Sequence, residues 1–150
     1  MEFVITSKEL KRTRRWSDVD PTVSRQMSLV RSKNTKPEIA VRRILHRMGY
    51  RFRVHRKDLP GSPDIVFVGP RKILFVHGCF WHGHYCRTGN RIPKTRVEYW
   101  NAKIARNRQR DLSVRRRLRA LGWQVLTVWE CQLRRPAILT DRLCRFLAGT

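Results

Sequence analysis

Residues 63–77 read PDIVFVGPRKILFVH and contain two unbroken apolar runs, Ile65–Val68 and Ile73–Val76, on either side of Gly69-Pro70-Arg71-Lys72. Short apolar runs that flank a turn containing glycine and proline are typical of paired buried strands. We therefore expect a buried hairpin here. Asp64 stands directly before its first strand, and His77 directly follows the second run.

Helices and further strands are predicted on both sides of this hairpin. Thr35-Lys36-Pro37-Glu38 is a capping box, and apolar residues follow it at helical spacing until Gly49. A second capping box, Thr95-Arg96-Val97-Glu98, predicts a helix through Arg119 that ends at Gly122. The remaining predictions are a half-exposed strand (Tyr50, Phe52 and Val54 alternating with Arg51, Arg53 and His55), a strand at 123–129, and a last helix after Pro136 striped by Leu139, Leu143, Phe146 and Leu147. The order is α-β-β-β-α-β-α, which makes residues 22–150 one α/β domain.

Charge is the unusual property of the composition. The chain has 34 Lys and Arg against 11 Asp and Glu, a formal net charge of +23. A surplus of this size indicates a polyanionic partner, and nucleic acid is favoured because neutralised phosphates release their condensed counterions. Charge alone would equally suit a ribosomal or nucleoid protein.

The first 21 residues are basic and lack apolar periodicity, so they are predicted to form a mobile arm that either contacts a polyanion or is a solvated tail. No apolar run is long enough to span a bilayer, and the N-terminus lacks the order of a secretory signal. We therefore expect a protein of the prokaryotic cytosol or nucleoid, with no membrane partner. In a reducing compartment, the four cysteines are better candidates for metal ligands or free thiols than for disulfides.

Cys79, His84 and Cys86 lie within eight residues, and Cys131 follows the last predicted strand. Three thiolates and one imidazole form a closed tetrahedral zinc site of the structural kind. The alternative is a set of buried cysteines beside a core histidine. Cys144 lies off the apolar stripe of the last helix and is left out of the site.

Asp64 is predicted to hold Mg²⁺, because a carboxylate at the start of a buried strand offers the hard oxygen ligand that this ion prefers. An Asx turn after Pro63 is the local alternative. The hairpin would return His77, and His82 after it, to the side of Asp64. A metal carboxylate with a histidine base suits phosphodiester hydrolysis.

Phe80 and Trp81 stand between these two histidines. An exposed aromatic pair near basic residues suggests insertion between DNA bases. Ordinary core packing is the alternative.

Taken together, three segments resemble the very-short-patch repair (Vsr) mismatch endonucleases: LPGSPD at 59–64, HGCFWHGHYC at 77–86 and VWEC at 128–131. The resemblance covers residues 24–147. It implies a restriction-endonuclease-like core with a mixed central sheet, and nicking of one strand beside the thymine of a T:G mismatch.

The resemblance also implies roles for single residues in catalysis. Asp64 and the backbone of Val76, where the family often has threonine, would bind Mg²⁺. His82 would be the general base, with His77 beside it. Asp111 would orient that base, although an ion pair on the helix surface is an alternative. Glu38 matches an additional active-site carboxylate, and the capping box explains the same residue locally.

Further residues are implied in binding metal and DNA. Zinc would be held by the same four residues that the spacing selects. Phe80, Trp81 and Trp100 would form an aromatic wedge, Met27 would insert from the opposite groove, and Lys103 and Asn107 complete the DNA-binding set. The expected enzyme is a monomer that acts on double-stranded DNA, with mismatch-repair proteins as possible partners.

The sequence is also compatible with two other functions. A related nuclease could act on other mismatches, on branched DNA or in restriction and defence. A zinc-containing DNA-binding module without catalysis would also account for the charge and the cysteines, but it would have no need of Asp64 beside two histidines.

Overall fold

A computed structural model describes residues 22, 25, 30 and 32–149. The chain divides into two compact units, residues 1–32 and 33–150. The helices and strands described here belong to the second unit. The predicted arm over residues 1–21 and the predicted DNA contact Met27 lie outside the described residues.

Within residues 33–149 the predicted order of elements is confirmed. The elements are α1 (Lys36–Arg47), β1 (Arg53–Val54), β2 (Ile65–Phe67), β3 (Lys72–His77), α2 (Val97–Ala120), β4 (Gln124–Trp129), a 3₁₀ helix (Glu130–Arg134) and α3 (Pro136–Ala148). The strands form one sheet in the order β1-β2-β3-β4. The first three pair antiparallel and β4 pairs parallel with β3, so the sheet is mixed, as expected.

The sheet is covered on both faces because successive residues of its central strands point in opposite directions. Leu74 and Val76 belong to a core shared with α1 and α3, whereas Ile73 and Phe75 belong to a second core shared with α2. Burial on both faces explains why β2 and β3 are unbroken apolar runs rather than alternating ones.

Helix α1 begins and ends as its sequence predicts. Thr35 is the N-cap, and its hydroxyl accepts a hydrogen bond from the Glu38 amide at 3.4 Å. Gly49 follows the helix with φ +83°, a conformation that glycine adopts at low cost. Val41 and Leu45 are fully buried on the core side.

The prediction for the start of α2 is wrong. The residue before the helix is Arg96, in a left-handed conformation (φ 54°, ψ 43°), and no side chain caps the first turn. The segment Thr95–Glu98 therefore does not form a capping box, although the helix does run to Ala120 as expected. In the described part of the chain no helix is long and apolar enough to cross a membrane.

The predicted strand over residues 50–55 is reduced to Arg53–Val54. Tyr50 and Phe52 do face the core, where each ring contacts Phe67 edge-on at 6.0 Å. Val54 is exposed and His55 leaves the strand with φ 49°. The alternating pattern was therefore right for the apolar contacts of this segment and wrong for its length and for His55.

Lys72, expected in the turn of the hairpin, is the first residue of β3 and only 3% exposed. Its Nζ donates hydrogen bonds to the backbone carbonyls of Phe146 at 2.8 Å, Leu147 at 3.1 Å and Gly149. These carbonyls lie at the C-terminal end of α3, where a cation is favoured by the helix dipole. Lys72 thus joins the sheet to the last helix.

We expect Lys72→Met to lower the free energy of unfolding by about 2 kcal/mol, because it leaves helix-end carbonyls without their charged donor. The exposed Lys57→Met is the matched control and should change it by less than about 0.5 kcal/mol. Urea denaturation of both variants measures the difference. Equal free energies of unfolding for Lys72→Met and wild type would mean that water hydrogen-bonds the carbonyls at the end of α3 as well as the lysine does.

Candidate active site and metal centre

The antiparallel hairpin brings Asp64 beside the end of β3. Asp64 Oδ2 accepts a hydrogen bond from the Val76 amide at 2.7 Å. This bond spans twelve residues, so the carboxylate is held across the hairpin and not by a local Asx turn. The carboxylate and the backbone segment predicted to bind Mg²⁺ are therefore adjacent.

Asp64 lies in an environment that disfavours its charge. Burial raises the pKa of this carboxyl to about 7, although the Val76 amide opposes the shift, and the nearby Glu38 carboxylate adds to it. A positive ion at this position would reverse the effect by stabilising the ionised form. This is the electrostatic character expected of a carboxylate that binds a metal.

The loop that carries Asp64 is pressed against α2 at Gly61. This glycine has φ +74°, and a Cβ atom there would lie 2.4 Å from Val114 Cγ1. Any larger residue would push the loop off the helix. Gly61 therefore sets the position from which Asp64 enters the site.

His82 and Asp111 form a hydrogen-bonded pair, with 2.5 Å between His82 Nδ1 and Asp111 Oδ2. Burial alone would raise the pKa of Asp111, but the hydrogen bond from His82, together with the nearby charge of Arg110, holds it below its usual value. An ionised carboxylate only accepts, so His82 Nδ1 donates this bond, and Nε2 is the ring nitrogen left free for another partner. The bond joins residues 29 positions apart, which excludes the helix-surface ion pair considered as an alternative for Asp111.

His77 is stacked on His82, with ring centroids 3.8 Å apart and planes 7° from parallel. Burial is the main cause that lowers the pKa of His77 to about 3, so its ring is neutral near pH 7. Its Nδ1 is buried and has no hydrogen-bond partner among the described residues. The stack fixes the plane of the His82 ring without adding a competing charge.

Glu38 takes part in both arrangements that the sequence suggested. Its carboxylate accepts hydrogen bonds from the Asn34 amide at 3.0 Å and the Thr35 hydroxyl at 3.1 Å, which are local contacts at the start of α1. It is also within 4.8 Å of candidate ligand atoms of His55 and Asp64. Since Glu38 is 3% exposed, the cap directs a buried carboxylate towards the active site.

The four predicted zinc ligands meet at one point. Candidate donor atoms of Cys79, His84, Cys86 and Cys131 all lie within 4.8 Å of one another, and Cys131 Sγ is 3.5 Å from His84 Nδ1. Tetrahedral zinc with Zn–S distances of about 2.3 Å places its ligand atoms roughly 3.3 to 3.8 Å apart, so the cluster fits that ion after slight contraction.

The surroundings of this cluster also suit thiolate ligands. The Cys131 amide donates to Cys79 Sγ at 3.4 Å, and the Gly89 amide donates to Cys86 Sγ at 3.2 Å. Burial raises the pKa of the Cys79 thiol, so its thiolate requires a bound cation. Cys144 is exposed and takes no part, as expected.

The ligand loop packs directly on α2 at Gly83. A Cβ atom at this position would lie 2.7 Å from Ile104 Cγ2, and Gly83 has φ +60°. The loop therefore needs glycine here. The close packing holds His82 and His84, on either side of Gly83, against the helix that carries Asp111.

Phe80, Trp81 and Trp100 form an aromatic cluster with ring centroids 5.3 to 5.7 Å apart. In the described part of the chain the cluster belongs to neither apolar core, and all three residues are partly exposed. Ordinary core packing is therefore not their role. Lys103 Nζ lies 5.4 Å from the Trp81 ring and 5.7 Å from the Trp100 ring, so a cation accompanies the exposed aromatic face.

Asn107, predicted to contact DNA, has a contact within the protein. Its Nδ2 donates to the Trp81 carbonyl at 2.8 Å. Asn107 thus holds the loop that presents the aromatic cluster.

Two residues of this region were missed by sequence reasoning, Arg42 and His55. The alternating pattern places His55 on the polar side of a half-exposed strand, and no motif singles out Arg42. The contact between them, 3.0 Å from Arg42 Nη2 to His55 Nε2, joins residues 13 apart and has no local signal.

Comparisons with known proteins identify the family of this chain. Residues 18–88 match the family model described as DNA mismatch endonuclease Vsr. The chain is 58% identical to the type II nicking enzyme V.XorIIP of Xanthomonas oryzae over 121 residues, 81% of this chain and 88% of the relative. It is 43% identical to the DNA mismatch endonuclease Vsr of Escherichia coli over 120 residues, 80% of this chain and 76% of that enzyme.

Proposed function

This chain is a DNA endonuclease of the Vsr family, and from that premise we propose that it nicks one strand of DNA beside the thymine of a T:G mismatch. The observation that carries the chemistry is the His82–Asp111 pair beside Asp64. The mismatch target is supported by the family and by the E. coli relative, both of which are described as DNA mismatch endonucleases. With this family we also infer a core of the restriction-endonuclease type.

In the proposed reaction His82 is the general base. Its Nε2 lone pair takes the proton of the attacking water, and Asp111 stabilises the imidazolium that forms. His77, neutral and stacked on His82, keeps the ring in one plane. Removing one proton acceptor of this kind costs roughly 10²- to 10⁴-fold in rate.

Mg²⁺ would be held by Asp64 and the Val76 carbonyl, and when bound it neutralises charge on the phosphate. Asp64 is suited to this because the Val76 amide and Arg42 offset only part of the cost of burying its negative charge. Glu38, whose carboxylate lies within 4.8 Å of the Asp64 carboxylate, would be the second acidic residue near such an ion. At the cysteine cluster zinc is the ion that the donor set favours, and its role is structural because no ligand position is left for water.

The aromatic cluster is proposed to enter the duplex at the mismatch. Phe80, Trp81 and Trp100 offer flat apolar surface beside Lys103, and a mismatched step costs less to unstack than a matched one. The arginines along α2 would contact the phosphates. These contacts supply affinity, whereas the wedge supplies selectivity.

Incision of a panel of end-labelled duplexes with the cut position mapped tests this proposal. We expect a single-strand nick beside the thymine of T:G, dependent on Mg²⁺ and roughly a hundredfold faster than on the matched duplex. His82→Ala should remove the product, and His46→Ala, which changes an exposed histidine on α1, should not.

Each other outcome has a definite meaning. Equal cutting of matched duplex would reject mismatch selection and leave a less specific nuclease. Preference for another mismatch or for branched DNA would replace the T:G assignment. Tight, salt-sensitive binding without any product would contradict catalysis.

A further inference from the structure

The structure places a histidine and an arginine beside Glu38 and Asp64. Arg42 Nη2 lies 3.1 Å from Glu38 Oε2 and 3.0 Å from His55 Nε2. His55 Nε2 is itself 3.7 Å from Glu38 Oε2. Candidate ligand atoms of Glu38, His55 and Asp64 all lie within 4.8 Å of one another. The guanidinium of Arg42 thus contacts two of the three groups that surround this point.

The contact with Arg42 defines the state of the His55 ring. A guanidinium can only donate hydrogen bonds, so His55 Nε2 must accept and its lone pair is directed towards Arg42. The same lone pair is the one that an imidazole uses to bind a metal. The carboxylate of Glu38 offers its oxygen to the same guanidinium nitrogen. Arg42 therefore holds in place two groups, the Glu38 carboxylate and the His55 imidazole, that could both bind a metal ion.

One hydrogen-bond donor of Arg42 has no acceptor in this position within the described part of the chain. Its Nε is buried and makes no hydrogen bond to any described residue. An unsatisfied buried donor is costly, so other interactions must hold the side chain there. The attraction of Glu38 and Asp64 supplies them, since Arg42 also acts to lower the pKa of Asp64.

We propose that Glu38, His55 and Asp64 form a binding site for a divalent cation with one nitrogen ligand, and that the Arg42 guanidinium takes the place of the ion when the site is empty. This inference rests on the proposed function for the presence of a catalytic metal beside Asp64. It adds His55 as a ligand and Arg42 as an internal competitor. Arg42 must swing away when the ion enters.

A nitrogen ligand gives the site a preference among metals. Mg²⁺ prefers oxygen ligands alone, whereas divalent transition metals accept imidazole, and Mn²⁺, although the weakest binder among them, accepts it more readily than Mg²⁺ does. The site should therefore bind Mn²⁺ more tightly than Mg²⁺, and the difference should depend on His55. If His55 only supports the loop, through its 3.0 Å contact with Arg42 Nη2, metal preference should not depend on it.

The test measures metal binding without DNA, on the full chain with zinc loaded at the cysteine cluster. Mn²⁺ binding is followed by electron paramagnetic resonance, and Mg²⁺ by competition with it. We expect His55→Gln to weaken Mn²⁺ binding about tenfold or more and to change Mg²⁺ binding little. Arg42→Met should tighten the binding of both ions, by roughly tenfold, since a positive charge beside them is removed. Arg43→Gln, an exposed neighbour on α1, is the matched control and should have little effect.

A second readout identifies the ligand directly. Nitrogen modulation in the electron spin echo of bound Mn²⁺ reports an imidazole ligand. It should persist in His82→Gln, which disables the other histidine cluster, and disappear in His55→Gln. Zinc content, measured for every variant, should stay constant and shows that the fold is kept.

The proposal is overturned by any of three results. Wild-type protein that binds no Mn²⁺ lacks the site. An unchanged ratio of Mn²⁺ to Mg²⁺ affinity in His55→Gln removes the histidine as a ligand. Weaker metal binding in Arg42→Met would mean that the arginine organises Glu38 and does not compete with the ion. Because DNA is absent, these results are independent of whether the enzyme selects a T:G mismatch.

Discussion

Asp64→Asn is expected to abolish DNA cleavage and, in the same protein, to increase stability. The loss of activity should be at least about a thousandfold, since the metal that the carboxylate holds contributes several kcal/mol to the transition state. The gain of stability follows from the pKa of Asp64, which burial raises to about 7. An amide of the same shape avoids the cost of ionising a buried group.

The sign of the stability effect depends on pH. The folded pKa of Asp64 is above that of the unfolded chain, so the folded state binds the proton more tightly. The loss of folding stability caused by ionising the buried carboxyl is absent below pH 4, grows as the pH rises, and is complete above pH 7. Without Mg²⁺ but with zinc retained, Asp64→Asn should therefore be more stable at pH 8 by on the order of 2 kcal/mol, and equal to wild type near pH 4.

Asp58→Asn is the matched control for this prediction. Asp58 is exposed in the same loop, and the hydrogen bond from Arg56 lowers the pKa of its carboxyl. Its replacement should leave cleavage intact and should not stabilise the protein at pH 8. An Asp64→Asn variant that is inactive but less stable at pH 8 would show that the carboxylate is compensated within the protein and does not need a metal.

Cys131→Ser is expected to lower both zinc content and stability. Structural zinc sites contribute apparent binding free energies of about 10–16 kcal/mol, and a large part is lost when a thiolate is replaced. Cys131 follows β4 and meets the loop of residues 79–86, so the ion links parts of the chain that are far apart in sequence. Metal analysis and thermal unfolding measure the two effects.

The exposed Cys144→Ser serves as the control for the loss of a cysteine. Wild type and Cys144→Ser should each contain one zinc ion per chain and unfold at the same temperature. Wild-type protein purified without chelator that contains no zinc would refute the site, and Cys131→Ser with full zinc would remove Cys131 as a ligand.

The site was predictable to different degrees. The cluster of Cys79, His84, Cys86 and Cys131 could be selected from spacing because three members lie in one loop. Pairing of His82 with Asp111 came only from resemblance to a family, since 29 residues separate them. Only part of the environment of Glu38 could be predicted. Its contacts with Thr35 are local in sequence, whereas His55 and Asp64, which also lie near it, are distant along the chain.

The amino-acid sequence by itself determined the elements of the fold, because apolar periodicity and helix caps act within a few residues. It placed the β2–β3 hairpin, the cap of α1 and the stripe of α3 correctly. Only the tertiary structure decided which distant groups meet. It buried Lys72 under the end of α3, replaced the expected cap at Thr95 by a left-handed Arg96, and put Arg42 between Glu38 and His55. Such contacts arise from packing of helices on a sheet, which no local pattern encodes.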